Sequence, residues 1–246
     1  MILAFFATAL LYASVGFGGG STYNALLILM EIDYTLVPVI ALTCNLIVVS
    51  GNSLRYYKHQ CIPWKFTLPV ISISIPFAFI GGNTILEEEI FIKILAWTLL
   101  ISGISMFYKN REIKTFSSKL DTPLGKFLTI FIAGILGFLA GLVGIGGGIF
   151  FAPILHLTQA LPTRNIAAFT SIFILVNSIA GLIGQLTKNQ SFDIQMQELN
   201  YIWLVIAVLI GGQIGSHLSI KRIRPIVVRQ LTAVLVIYVG CRLLLI

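Results

Sequence analysis

Charge is what this chain has least of. Asp, Glu, Lys and Arg make up 10% of its 246 residues, whereas 57% are hydrophobic. A soluble domain carries about 25% charged residues, so a water-exposed globule is excluded and the bilayer must be the solvent. No Asp, Glu, Lys or Arg falls near the centre of an apolar run. A proton relay through a buried carboxylate therefore has no candidate, and a coupling ion, H⁺ or Na⁺, has no legible ligands. The three histidines, His59, His156 and His217, sit at run ends or in loops, and no metal-ligand spacing or catalytic triad is visible. No cofactor, metal or enzymatic activity is expected. Three cysteines, two of them within apolar runs (Cys44 and Cys241), do not make a disulfide framework and read as small apolar residues. Long polar stretches are missing too: the longest spans 109–126, too short for a soluble domain.

What remains is apolar and segmented. Runs of roughly 20 residues, the length that crosses a hydrocarbon core of about 30 Å, occupy 36–54, 66–85, 90–108, 166–186, 199–218 and 226–246. Two longer stretches, 1–30 and 127–157, are interrupted by glycine clusters. The apolar start lacks the basic n-region of a signal peptide and is read as part of the mature fold. The net charge of +7 resides in short loops between runs, the bias of cytoplasmic loops in membrane proteins, and nucleic acid is not an expected partner.

The chain repeats itself. Gly16-Phe17-Gly18-Gly19-Gly20 returns as Gly144-Ile145-Gly146-Gly147-Gly148. Thr43, closing VIALT, returns as Thr170, closing IAAFT, and Ile80-Gly81-Gly82 returns as Ile210-Gly211-Gly212. Three landmarks in one order at nearly one spacing predict two related halves, 1–110 and 124–246, joined by a linker at 111–123.

Basic residues arbitrate the topology. If each glycine-interrupted segment crosses once, the better orientation leaves six of the sixteen basic residues outside. If each cluster is the tip of a re-entrant hairpin, thirteen lie inside and only Lys93, Lys188 and Arg242 outside, while Glu31, Asp33, Glu87, Glu88 and Glu89 face outward. The second arrangement satisfies the positive-inside rule better. It predicts an all-α integral membrane protein of two inverted-topology repeats. Each repeat has three full transmembrane helices plus one glycine-broken re-entrant helical hairpin. The 109–126 loop then lies in the cytoplasm and the protein in the plasma membrane.

A glycine break at membrane depth is tolerated only within protein or beside a water-filled cavity. The helix that restarts after it presents N–H groups without intrahelical partners and the positive end of its dipole, a ready anion site. Gly18, Gly19 and Gly20 are followed by Ser21, Thr22 and Asn24, which add polar side chains; Gly146, Gly147 and Gly148 are followed by Ile149 and Phe150, which add none. Gly137 with Gly141, and Gly211 with Gly215, read as packing seams. Asn45 and Asn52 share a helix face beside Thr43, and Thr170 and Asn177 repeat the seven-residue spacing beside Ser171, with Gln185 along the stripe. These polar stripes line a cavity or hydrogen-bond neighbouring helices. Arg55, at the end of its run, draws anions or sets topology.

The arrangement of apolar segment, Gly-x-Gly-Gly-Gly, short apolar segment and polar-containing helix, present twice, resembles the TauE/SafE family of membrane permeases. The stretch 141–181, GLVGIGGGIFFAPILHLTQALPTRNIAAFTSIFILVNSIAG, carries the strongest match. The first half departs from the pattern with Ser21-Thr22-Tyr23-Asn24 in place of aliphatic residues and no following proline. The resemblance implies a permease for small sulfur-containing anions such as sulfonates, sulfoacetate or sulfite. The glycine clusters, Ser21, Thr22, Asn24, Ile149 and the two polar stripes are the expected substrate site. Alternating access is the expected mechanism. A passive anion channel and a non-transporting biogenesis or scaffold protein are the alternatives, and oligomeric state is left open.

Overall fold

The computed structural model describes residues 1–107, 122–158, 161–188, 199–218 and 225–245. The basic residues expected inside at 109–119 and at 221–224 lie outside the described residues. Every regular element among the described residues is an α-helix: α1 Ile2–Val15, α2 Gly20–Leu29, α3 Leu36–Lys58, α4 Trp64–Asn83, α5 Glu88–Phe107, α6 Pro123–Val143, α7 Gly148–Leu157, α8 Thr163–Lys188, α9 Leu199–Leu218 and α10 Pro225–Leu244. Four of them, α3, α4, α6 and α8, are long and apolar enough to cross a membrane among the described residues. The burial pattern suits lipid. Leu68, Phe77 and Ile80 on α4, Trp97 and Ile101 on α5, and Phe127 and Phe131 on α6 face outward, whereas Asn24, Asn45, Ser74, Thr170 and Asn177 are wholly enclosed.

The helix order long, short, long, long, long occurs twice, and the short members are where glycine dictates the backbone. Gly16 (φ 86°) ends α1 in the left-handed region, with Phe17 N–H returning to Tyr12 O at 3.0 Å, and Gly144 (φ 82°) ends α6, its N–H returning to Ala140 O at 3.0 Å. Such left-handed stops favour a residue without Cβ. Gly19 (φ 91°) and Gly147 (φ 72°) then restart the chain as α2 and α7. Ten residues each make these helices about 15 Å long, half of a bilayer core.

Close glycine contacts fix the directions. Gly211 lies on Phe6 and Gly215 on Leu10, so α1 and α9 run parallel; Gly137 lies on Ser74 and Gly141 on Ala78, so α4 and α6 do too. Val48 meets Gly212 and Arg55 meets Ser216, making α3 parallel to α9. Gly103 meets Ile237 while Gly240 meets Leu100, making α5 and α10 antiparallel. One end of the bundle thereby collects Arg55, Lys58, Lys65, Lys126 and Arg164, and the other Glu31, Asp33, Glu87, Glu88 and Glu89. We call these the basic and acidic ends. The α1 helix runs toward the basic end and its chain returns through α2 to the acidic end, where α3 starts. The α6 helix runs toward the acidic end and its chain returns through α7 to the basic end, where α8 starts. Packing partners exchange accordingly: α4 with α6 as α9 with α1, α7 with α8 as α2 with α3, and α2 with α10 as α7 with α5.

The seams are backbone against backbone. A Cβ on Gly137 would come within 2.9 Å of Ser74 Cα, and one on Gly141 would overlap the Ala78 carbonyl; Gly81, Gly184, Gly211 and Gly215 meet carbonyls in the same way. Small residues allow this approach, and between helices in lipid close packing supplies the attraction that water cannot. Gly51 is different, since its nearest neighbour is Gln213 Nε2 at 3.6 Å. Gly141→Ala should therefore lower stability by about 1–3 kcal/mol through overpacking. Gly51→Ala should leave it unchanged or raise it by up to about 1 kcal/mol through helix propensity. Thermal melting in detergent distinguishes the pair, and equal melting temperatures would contradict the seam.

Candidate functional site

Both glycine breaks meet at the middle of α3. A Cβ on Gly20 would lie 2.8 Å from Ile145 O, so the first break touches the second directly. Asn45, wholly buried, is wedged between them. Its amide blocks any Cβ on Gly18 or Gly20 and lies 3.3 Å from the Cβ position of Gly146. Its Nδ2 donates to Gly144 O at 3.3 Å, while its Oδ1 has no partner among the described residues. Ile174 of α8 fills the other side, against Gly18, Gly146 and Gly148. The sequence leads one to expect a cavity between the breaks. In this conformation the interval is filled by Asn45 and Ile174. Gly19 and Gly147 do not face it: they pack within their own halves, on Thr8, Tyr12 and Tyr23 and on Leu136, Phe173 and Ala140.

Hydrogen bonding at the breaks is lopsided. The carbonyl end of α6 is capped by side-chain amides: Gln185 Nε2 donates to Gly141 O at 3.0 Å and Leu142 O at 3.3 Å, and Asn24 Nδ2 to Val143 O at 2.6 Å. Amide starts of α2 and α7 have no such help, since neither helix has a side-chain N-cap. Thr22 and Tyr23 N–H return to Gly19 O, and Phe150 and Phe151 N–H to Gly147 O. The N–H groups of Gly18, Gly19, Gly20 and Ser21, and of Gly146, Gly147 and Ile149, meet no acceptor among the described residues although all seven residues are buried. Two helix starts with open donors thus converge on one point. A buried donor without a partner costs about 1–3 kcal/mol, and a helix start can favour an anion by up to about 2 kcal/mol where partly buried.

The remaining candidates divide by what their side chains do. Ser21 Oγ is buried and unpartnered. Thr22 Oγ1 is engaged with Tyr12 Oη at 2.8 Å, and Asn24 spends its Nδ2 on the other half. Thr43 and Thr170 donate to carbonyls of their own helices, Val39 O at 2.8 Å and Ile166 O at 2.9 Å. Ser171 pairs with Ser53 at 3.0 Å, tying α8 to α3. Asn177 is wholly buried with neither amide atom paired, and Asn52 Nδ2 is likewise unpaired, seven residues from Asn45 toward the basic end. One residue escapes the sequence reading: Ser178, whose unpartnered Oγ lies 3.3 Å from the Cβ position of Gly146. Its neighbour Asn177 carries the visible spacing signal, and a lone serine in an apolar helix carries none. Among the described residues no group of His, Cys, Asp or Glu could hold a metal.

Comparison with known proteins follows the same lines. Residues 1–243 match the family described as Sulfite exporter TauE/SafE. The chain is 27% identical over 245 residues to a "Probable membrane transporter protein" of Sinorhizobium fredii, covering 99% of this chain and 97% of that one. It is 30% identical over 233 residues to one of Methanocaldococcus jannaschii, covering 90% and 84%. It is 24% identical over 255 residues to one of Bacillus subtilis, covering 94% and 91%. No solved structure matches. A helical bundle with lipid-facing apolar surfaces, and a family match along nearly its whole length, give one conclusion: the chain belongs to the TauE/SafE family and is a multi-pass membrane transporter.

Proposed function

We propose that the protein is a secondary transporter of small anions, sulfur oxyanions or sulfonates, which bind where the two glycine breaks meet. The observation that carries this reading is the set of buried, unpartnered N–H groups at the starts of α2 and α7, gathered around Asn45. Donors in that density, with the positive ends of two helix dipoles, suit a small negative solute. Among the described residues no lysine or arginine stands at the breaks, so the backbone must supply the attraction. The sulfur in the cargo comes from the family description alone. Ser21 and Ser178 add hydroxyl donors, and Asn45 closes the site from α3.

Alternating access is supported by the way the halves relate. The α1–α2 pair opens and closes at the acidic end and the α6–α7 pair at the basic end, with packing partners exchanged between halves. We read each pair as a re-entrant hairpin, the halves 1–110 and 124–246 as inverted repeats, and the basic end, with the 109–126 loop, as cytoplasmic in a plasma membrane. Because Asn45 and Ile174 fill the interval here, binding requires the breaks to separate, which rocking one half against the other would achieve.

Reconstituted in liposomes, the protein should show saturable, counterflow-competent uptake of sulfite or sulfoacetate. Single-channel currents would favour a passive pore, and absence of any anion flux would overturn the transport reading. Gly20→Ala needs no unusual φ and places a methyl between the breaks. It should cut uptake at least tenfold while the protein still elutes as a folded species.

Asn45→Leu and Thr43→Val form a second test on one helix. The leucine removes the wedge and should reduce uptake at least tenfold. The valine replaces a hydroxyl already satisfied by its own helix and should leave uptake within twofold. Equal effects of the two would contradict the placement of the site.

A further inference from the structure

From the breaks, α3 presents different surfaces toward its two ends. Toward the acidic end it is closely packed: Leu42 meets Gly181, and the Cβ position of Gly144 lies 2.7 Å from Pro38 Cα. In the same half of the bundle Gly82 and Gly184 pack on the backbones of Gly181 and Phe79. Toward the basic end the stripe is polar: Asn45, Asn52 and Arg55 follow one face over about 15 Å of helix. Here α3 meets α9 loosely, with Val48 Cγ2 3.5 Å from the Cβ position of Gly212 and Gln213 3.6 Å from that of Gly51.

At the foot of this stripe Arg55 Nη2 donates to Ser216 Oγ at 2.8 Å, and Ser216, 1% exposed, passes a hydrogen bond to Gln213 O at 3.0 Å. Arg55 is partly buried, and among the described residues no carboxylate lies at this end to neutralise it. One turn away, Asn52 is 4% exposed with its Nδ2 unpartnered. Tyr56 Oη lies 2.8 Å from the Cβ position of Gly16, where the first break begins. A guanidinium carries five donors in a fork that suits oxyanions, and one of the five is committed to Ser216.

We propose that Arg55 and Asn52 form a second anion subsite, on the path between the glycine breaks and the basic end. It takes the same small oxyanion as the central site, and in this respect rests on the transport reading. Ser216 holds the guanidinium against α9, so the anion bridges α3 and the loose α9 seam. A small oxyanion is far too short to touch the glycine breaks and Arg55 at once, so each site takes its own ion and the pair acts as a two-step relay.

The test is equilibrium titration of the purified full chain with sulfite at low ionic strength. Two anions should bind per chain. Arg55→Gln should weaken the second step at least tenfold and leave the first unchanged; Asn52→Leu should weaken the second about fivefold; Arg55→Lys, which keeps the charge but loses the fork, should weaken it by an intermediate amount. Gly20→Ala should remove the first step and spare the second. Added chloride should weaken the second step more than the first, because the subsite lies nearer water. One anion per chain in the wild type, or both steps unchanged in Arg55→Gln and Asn52→Leu, overturns the subsite while leaving the central site standing. No bound anion at all overturns the central site and the subsite together. A melting temperature of Arg55→Gln close to the wild type separates lost binding from lost folding, and Asn52→Leu and Arg55→Lys serve if it falls.

Discussion

A backbone amide in the hydrocarbon core has no water to bond to, and the centre of this protein is arranged around that restriction. The helices satisfy their amides internally along most of their length. Two chain breaks do not, and each exposes both kinds of orphan, carbonyls where one helix stops and N–H groups where the next begins. The two kinds are treated differently. Gln185, Asn24 and Asn45 spend their NH₂ groups on the carbonyl end of α6. Gly16 and Phe17 N–H turn back on the end of α1. The donor ends of α2 and α7 are left open and buried. At the end of α6 the backbone carbonyls are capped while the backbone donors at the helix starts are free, which is the polarity of an anion site, although Asn24, Asn45 and Gln185 leave their own amide oxygens unpartnered.

This arrangement depends on glycine twice over. Left-handed φ at Gly16, Gly19, Gly144, Gly146 and Gly147 allows the chain to stop and restart within a few residues. The missing Cβ at Gly18, Gly20 and Gly146 allows the two restarts to touch each other and the Asn45 amide. Helices α4, α6 and α8, packed through Gly82, Gly141, Gly181 and Gly184, form a tight wall toward the acidic end, whereas α3 and α9 leave room for a Cβ at Gly51 and Gly212 toward the basic end. The α4–α8 seam is thus tighter than the α3–α9 seam in this conformation, a difference that the proposed rocking motion would exchange.

Much of this is legible in the sequence because membrane solvation is written along the chain. The apolar runs, the duplicated Gly-x-Gly-Gly-Gly clusters and the bias of basic residues point to α-helical spans and two breaks without any knowledge of contacts. The packing glycines 137, 141, 211 and 215 are readable from their spacing, and the structure finds them on neighbouring backbones. Partner choice is not readable. Helical spacing places Thr43 close to Asn45 and Thr170 in a stripe with Asn177, but it does not say that both threonine hydroxyls return to their own helices. Nor does it say that Asn24 and Gln185 cap the end of α6 from separate helices, or that Ser178 rather than Thr170 stands beside Gly146. Those facts depend on which helices meet, and a single sequence encodes that only through the summed packing of every helix in the bundle.

In the proposed site, bare backbone amides hold the anion. Selenite, the heavier analogue of sulfite, makes it visible: a structure of the protein soaked in selenite should show anomalous selenium density between the breaks. Its oxygens should lie within about 3 Å of the N–H groups of Gly18–Ser21 on one side and of Gly146, Gly147 and Ile149 on the other, with Asn45 displaced. Saturating selenite that leaves Asn45 seated between the glycines and no selenium within reach of those amides would show that they do not bind the anion.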